Sequence, residues 1–474
     1  MADDLEQLSK PRLIALVRQL MERVERLEAE VARLKKDSSN SSKPPSSDIV
    51  KPPKAPASGG DCGGKRKIGG QAGHERHRRP MFSAEQIDQT CVYELDRCPD
   101  CGAPGSCLKR LDGEDRVIQQ VEVIAKPVVV TEHRAGCYGC GRCGKTQVAT
   151  LPPEVVKCGL IGPDLTALVA YLKGVCHASF STIRTFLRDV LRVTVSRGQL
   201  AKLVGKVGAA LAGPYQQLLD QLPHEARLNV DETGHKDNGE HWWTWCFRAE
   251  LFTLFKIDPS RGSDVLVRTL GKEFDGVLGC DYFSAYRKFM QDHDVAVQFC
   301  LAHLIREVKF LTTLPDKVTA NYGRRVLDTL RDLFGVIHRH NSGGDAMTPT
   351  QFERALQLAR DAVLKVGRHP PDRREARNLA DRFSKHGPAY FQFITTPGLQ
   401  PTNNLAEQAI RFVVIDRRIT QGTRSDAGRQ WNQRIWTTIA TLTQQGRNIL
   451  DYLRDTLHAT LDNRPAPSLL PAGP

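Results

Sequence analysis

The stretch "ARLNVDETGHKDNGEHWWTWCFRAELFTLFKID", residues 226–258, decides the fold class. "ARLNVDET" is apolar and β-prone up to two adjacent acids, Asp231 and Glu232. Asn238-Gly239 is a two-residue hairpin turn in which both residues favour positive φ, and an aromatic strand, "HWWTWCFRAE", follows it. "LFTLFKID" predicts a third strand. Working outward, "SDVLVRTLG" has helical spacing, "DGVLGCDY" reads as a fourth strand ending at Asp281, and "VAVQFCLAH" as a fifth. A three-strand meander followed by alternating helix and strand predicts a mixed α/β sheet.

Upstream, residues 163–212 carry helical periodicity in "PDLTALVAYLKGV", "STIRTFLRDVL" and "VTVSRGQLAKLVGKVGAAL", with Ser196 as N-cap of the third helix. The trio has the form of a helix-turn-helix, whose last helix enters a major groove, although helical hairpins without that role are common. Downstream, residues 304–395 are mostly helical and basic, and "TNNLAEQAIRFVVIDRRI" is a further helix capped by Thr402 or Asn403, with Glu407 in an early turn.

The N-terminal part is of another kind. Leu13, Val17, Leu20, Val24, Leu27, Val31 and Leu34 follow a 4-3 spacing, with Val at one core position and Leu at the other. That pattern favours a parallel two-stranded coiled coil over a helix packed on its own chain. Residues 36–64 are rich in Ser, Pro and Gly and read as a linker without a core. "KRKIGGQAGHERHRR", residues 65–79, has six Lys/Arg against one Glu. It suits a phosphate-binding arm as well as a solvated basic linker.

The chain has 474 residues and a formal net charge of +13. That length predicts about three domains, and the charge favours an anionic partner, of which nucleic acid is the commonest. "MADDLEQLSK" has no secretory core, and no apolar run approaches the roughly 18 residues of a membrane helix, so the expectation is a cytoplasmic protein. Eight of thirteen cysteines lie between Cys62 and Cys143, which in a reducing compartment points to metal rather than disulfides.

Two C-x-x-C-G knuckles, "CPDCG" and "CGRCG", supply Cys98, Cys101, Cys140 and Cys143. Four thiolates in this arrangement predict a structural zinc ribbon with no open coordination position. "CYGC" leaves Cys137 as an alternative ligand; the matched glycines favour Cys140 and Cys143. "GCGRCGKT", residues 139–146, matches a phosphate-loop pattern in form, but it contains two candidate zinc ligands and runs into "QVATLPPEVV" rather than a helix. ATP binding is therefore not expected.

Asp231 and Asp281, each ending a predicted strand, and Glu407 on a helix form a carboxylate set that can hold two hard cations. Two such ions about 3.5–4 Å apart activate a nucleophile and stabilise the leaving oxygen of a phosphodiester. Glu232, Asp275 and Asp292 compete for these roles, and solvated turn carboxylates are the plain alternative. Cys300 and His303 have metal-like spacing without an obvious second pair.

Taken together, "NSSKPPSSD" (40–48), "GGQAGH" (69–74), the knuckles, "VDET" (230–233), "DYFSAY" (281–286), "CLAH" (300–303) and "NNLAEQAIR" (403–411) resemble the IS66 family of bacterial insertion-sequence transposases, over nearly the whole chain. The resemblance implies a multidomain α/β protein. It would hold a coiled-coil helix at 1–36, the linker at 37–80, a zinc ribbon at 81–150 and a helix-turn-helix-like DNA-binding segment at 159–222. A ribonuclease-H-like catalytic domain at 223–422, with a helical insertion about 304–400, and a helical tail at 423–474 would complete it. It further implies Asp231, Asp281 and Glu407 as a catalytic triad holding magnesium. The implied partners are duplex DNA at element ends and target, a homodimer or higher assembly on DNA, and helper proteins, with no membrane. Leu304-Ile305 and "VVIDRRI" depart from the family's basic residues and Gly-containing turn. A non-catalytic DNA-binding derivative and a stand-alone ribonuclease-H-like nuclease are the rival readings.

Overall fold

The structure, a computed structural model, describes residues 9–34, 81–92, 96, 99–104, 106, 118–121, 127–139, 146–341 and 347–471. The linker and the basic arm, residues 36–79, lie outside the described residues. Two compact units emerge, one of residues 1–52 with 132–474 and one of residues 53–131. In the smaller unit Phe82 pairs its backbone N–H and carbonyl with the side chain of Gln119, at 2.6 and 3.0 Å.

In the larger unit α1 (Lys10–Leu34) is a helix whose heptad residues are all exposed, from Leu13 at 42% to Leu34 at 79%. A short antiparallel pair follows, β1 (Cys137–Gly139) with β2 (Thr146–Val148). Next come α2 (Pro153–Cys158), α3 (Pro163–Gly174), α4 (Phe180–Asp189), α5 (Arg197–Ala210) and α6 (Ala212–Gln221). Ser196 caps α5 by accepting from the N–H of Gln199 at 3.1 Å. Residues 153–174 are long and apolar enough by composition to cross a membrane, which corrects the expectation of no such run. They do not form one straight rod: Gly159, at φ 66°, ends α2, and α3 buries Ala167, Val169 and Ala170 in a protein core.

The sheet has five strands, β3 (Arg227–Asp237), β4 (Glu240–Arg248), β5 (Thr253–Asp258), β6 (Val277–Cys280) and β7 (Ala296–Phe299), in the order β5-β4-β3-β6-β7. β3, β4 and β5 form an antiparallel meander; β6 and β7 run parallel to β3. Asn238 and Gly239 both take positive φ, 50° and 89°, as a tight primed turn requires, so β3 and β4 stay paired out to Asp237 and Glu240. Asp231 consequently lies within β3 rather than at its end. What ends near it is the other ladder, since β6 pairs with β3 only as far as Asn229.

Helix α7 (Ser263–Leu270) links β5 to β6, and α8 (Ser284–His293) links β6 to β7. Then α9 (Leu301–Thr312), α10 (Lys317–Asn341), α11 (Pro349–Gly367) and α12 (Arg374–His386) form a helical excursion before α13 (Asn404–Thr420) crosses back over β3. The chain closes with α14 (Asp426–Gln445) and α15 (Ile449–Leu461). These two pack on α3 and α5, closely enough that a Cβ on Gly174 would meet Ile435 Cγ1 at 2.6 Å.

Helix α14 also covers the sheet edge. Gln433, Thr437 and Thr441 accept from the backbone N–H groups of Ile257, Phe255 and Thr253 at 2.9, 2.9 and 3.1 Å. The match is geometric: four helical residues rise about 6.0 Å and two strand residues about 6.6 Å, so an i, i+4 row meets alternate N–H groups. Thr441 also donates its hydroxyl to the carbonyl of Thr253 at 3.0 Å.

Candidate active site

The parallel register of β3 on β6 pairs Arg227 with Val277, Leu228 with Leu278 and Asn229 with Gly279. Continued by two residues, the same offset brings Asp231 level with Asp281. Two acids are thus set level with each other where the parallel ladder stops. Asp281 Oδ1 accepts from the N–H of Phe283 at 2.9 Å, and Asp231 Oδ1 from the N–H of Glu232 at 3.0 Å. Each aspartate keeps its second oxygen without a protein partner among the described residues.

Glu407 enters from above the sheet in the first turn of α13. That turn is fastened to the strand. Asn403, buried at 1%, donates its side-chain amide to the carbonyl of Val230 at 2.8 Å and accepts from Asn229 Nδ2 at 2.9 Å. Alternation along β3 puts Asn229, Asp231 and Thr233 on one face, and α13 meets that face again where Arg417 reaches the Thr233 hydroxyl at 3.2 Å.

Crowded acids disfavour their own charge. Burial, then the charges of Glu232, Asp281 and Glu407, push the Asp231 carboxyl well above its usual range, although the residue is not fully buried. Burial raises Asp281 too, while the N–H of Phe283 and the Arg261 guanidinium oppose the shift. A nearby cation reverses this penalty. Hard carboxylate oxygens, two of them free, fit a magnesium-type ion. Asp231 and Asp281 could hold such an ion.

One oxygen of Glu407, whose charge acts on both aspartates, is engaged by α9. Its Oε1 lies 3.3 Å from Arg306 Nη2 and 3.5 Å from His303 Nδ1, both on α9. Among the described residues, the metal-type donors within 4.8 Å of one another are Cys300, His303 and Glu407. The three acids do not converge that closely in this structure.

The other acids sit differently, although Glu232 still acts on Asp231 through its charge. Glu232 points to the opposite face, where Arg261 grips Oε1 at 2.7 and 2.9 Å and the Tyr286 hydroxyl donates to Oε2. Burial, with the charge of Asp281, lifts its carboxyl to about 7 in spite of those partners. Asp275 is exposed, and Asp292 pairs with Lys288 at 2.8 Å on an exposed turn of α8. Arg261, Tyr286, Asn229 and Arg306 went unnoticed in the sequence because each acts across a long separation. The Asn403-Asn404 doublet before Glu407 was the one readable sign.

Of the predicted zinc ligands, Cys101 is exposed, and Cys98, Cys140 and Cys143 lie outside the described residues. The alternative, Cys137, begins β1 and is exposed. The segment 140–145 connects antiparallel strands β1 and β2, so no helix follows the phosphate-loop-like pattern.

Comparison with known proteins matches residues 158–431 to the family described as Transposase IS66 family. Residues 3–80 match a family of unknown function. An uncharacterized protein of Sinorhizobium fredii, y4qI, is 25% identical over 436 residues, covering 83% of this chain and 77% of that protein. The transposase match spans more than half of the sequence and includes every strand of the five-stranded sheet, Asp231, Asp281 and Glu407. The chain belongs to the IS66 family of transposases.

Proposed function

We propose that this chain cleaves the ends of an insertion sequence and joins them to target DNA, on a ribonuclease-H-like sheet with Asp231, Asp281 and Glu407 as the metal-binding acids. The observation that carries the reading is the register that sets Asp231 level with Asp281 where the β3–β6 ladder ends. The strand order, a three-strand meander extended by two parallel strands, supports the same fold.

Magnesium at Asp231 and Asp281 would activate water or a 3′-hydroxyl and stabilise the departing oxygen of a phosphodiester. The chain's own part is placement. Backbone N–H groups fix one oxygen of each aspartate and leave the other without a hydrogen bond among the described residues. Arg261 and Tyr286 hold Glu232 on the far face, out of the acid set. Asn403 ties the first turn of α13 to β3, and release of Glu407 from Arg306 would free its carboxylate for the acid set.

The ribbon of Cys98, Cys101, Cys140 and Cys143 with zinc, the basic arm and the helices of 159–222 would recognise element ends in duplex DNA. The seam of α1 would pair two subunits. The setting is the bacterial cytoplasm, at the nucleoid when bound to DNA.

The test is strand transfer from a labelled donor-end oligonucleotide in magnesium. Joined product lost in Asp231→Asn supports the reading. Binding without cleavage by the wild type would favour a non-catalytic DNA-binding protein, and cleavage without joining a stand-alone nuclease.

A further inference from the structure

Cys300 caps the start of α9, and His303 follows in its first turn. Both side chains face the first turn of α13, where Glu407 completes a cluster whose ligand atoms lie within 4.8 Å of one another. Cys300 is buried, while the side chains of His303 and Glu407 remain 12% and 25% exposed. The N–H of Asn403 reaches Cys300 Sγ at 3.2 Å. That N–H would favour a charged sulfur.

We propose that Cys300, His303 and Glu407 form a binding site for a borderline-soft divalent cation of the zinc type, distinct from the hard-oxygen pair Asp231 and Asp281. One thiolate, one imidazole and one carboxylate are a three-ligand zinc set that leaves the fourth position to water. Bonds of about 2.0–2.3 Å place tetrahedral ligands roughly 3.3–3.8 Å apart, about 1 Å inside the 4.8 Å that bounds the present spacing. Binding releases the thiol proton to solvent.

Arg306 is the alternative occupant. Its guanidinium lies 3.3 Å from Glu407 Oε1 and 3.3 and 3.4 Å from the two ring nitrogens of His303. Guanidinium and metal ion therefore exclude each other. If Glu407 is the third catalytic acid, as proposed above, a cation here withholds it from the aspartate pair and acts as an inhibitor.

Full-length protein, as purified with its ribbon zinc, is titrated with zinc by calorimetry and with cobalt(II) by absorption. One additional equivalent is expected, with a thiolate-to-cobalt charge-transfer band that Cys300→Ser abolishes. Cys300→Ser and His303→Gln should weaken this binding by about 100-fold or more, beyond the usual effect of losing a supporting contact. Arg306→Gln should tighten it about tenfold, because a competing charge is gone. Zinc should slow magnesium-dependent cleavage, at lower concentration in Arg306→Gln than in wild type. If Cys300→Ser does not fold, the opposite effects of His303→Gln and Arg306→Gln decide. A titration unchanged by all three substitutions overturns the site. Absence of any magnesium-dependent cleavage, with the titration as expected, instead overturns the catalytic reading and leaves the zinc site standing.

Discussion

Asn403 donates its side-chain amide to the carbonyl of Val230 at 2.8 Å, one residue from Asp231 and four from Glu407. A single buried amide thus ties the helix that carries one acid to the strand that carries another. Its other atom is held by Asn229, so both asparagines are satisfied together. Asn403→Ala leaves Val230 and Asn229 unpaired, at a cost of about 1–3 kcal/mol for each such group. Thermal unfolding should shift down, and cleavage should fall further than the loss of folded protein explains. Cleavage that simply tracks the folded fraction would show that Asn403 does not position Glu407.

Removing charge from the acid set should trade activity for stability. A carboxyl raised in the folded state contributes destabilisation once pH exceeds its unfolded value, because the folded form must surrender a proton it favours. Asp231 and Asp281 are both raised, so Asp231→Asn and Asp281→Asn should melt higher than wild type at pH 7.5 without metal. Magnesium should raise the melting point of wild type and of neither variant. Both variants and Glu407→Gln should lose strand cleavage and keep DNA binding. Retained cleavage in the triple variant would remove these residues from the chemistry.

Tightly held zinc should sit in the ribbon. Cys98→Ser or Cys143→Ser should release it, expose residues 91–145 to protease and weaken binding to element ends. Zinc content by atomic emission checks the ligand choice: retention in Cys143→Ser with loss in Cys137→Ser would move the second knuckle to "CYGC".

The seam of α1 presents Val24 at 52% and Leu27 at 51% exposure. Val24→Asp with Leu27→Asp puts charge into any two-stranded coil formed there, which is strongly unfavourable. Light scattering should show loss of the dimer, and a gel with two labelled ends should show single-end complexes at the expense of paired ones. Normal paired complexes would mean that other surfaces do the pairing.

Local chemistry made part of this molecule legible. Asn238-Gly239 announced its turn because few other pairs accept two positive φ values, and Asp281 announced a strand end because "GVLGC" is a buried run that stops there. The depth of Asp231 was misread, since the distance to the turn sets how far β3 stays paired, whereas the acids alone suggested an exit. The Asn229–Asn403 pair and the grip of Arg261 on Glu232 depend on residues that meet only after the sheet has formed. Thr437 and Thr441 are the clearest case: on a helix they look like one more polar stripe, and their partners lie more than 180 residues upstream.

That stripe has a consequence for synthesis. Until α14 leaves the ribosome, the nascent chain carries a finished meander whose outer strand offers the N–H groups of Thr253, Phe255 and Ile257 to any neighbouring polypeptide. A product truncated before Asp426 keeps that sticky margin for good, and it is expected to pellet with the insoluble fraction rather than to persist as a soluble competitor of the intact protein.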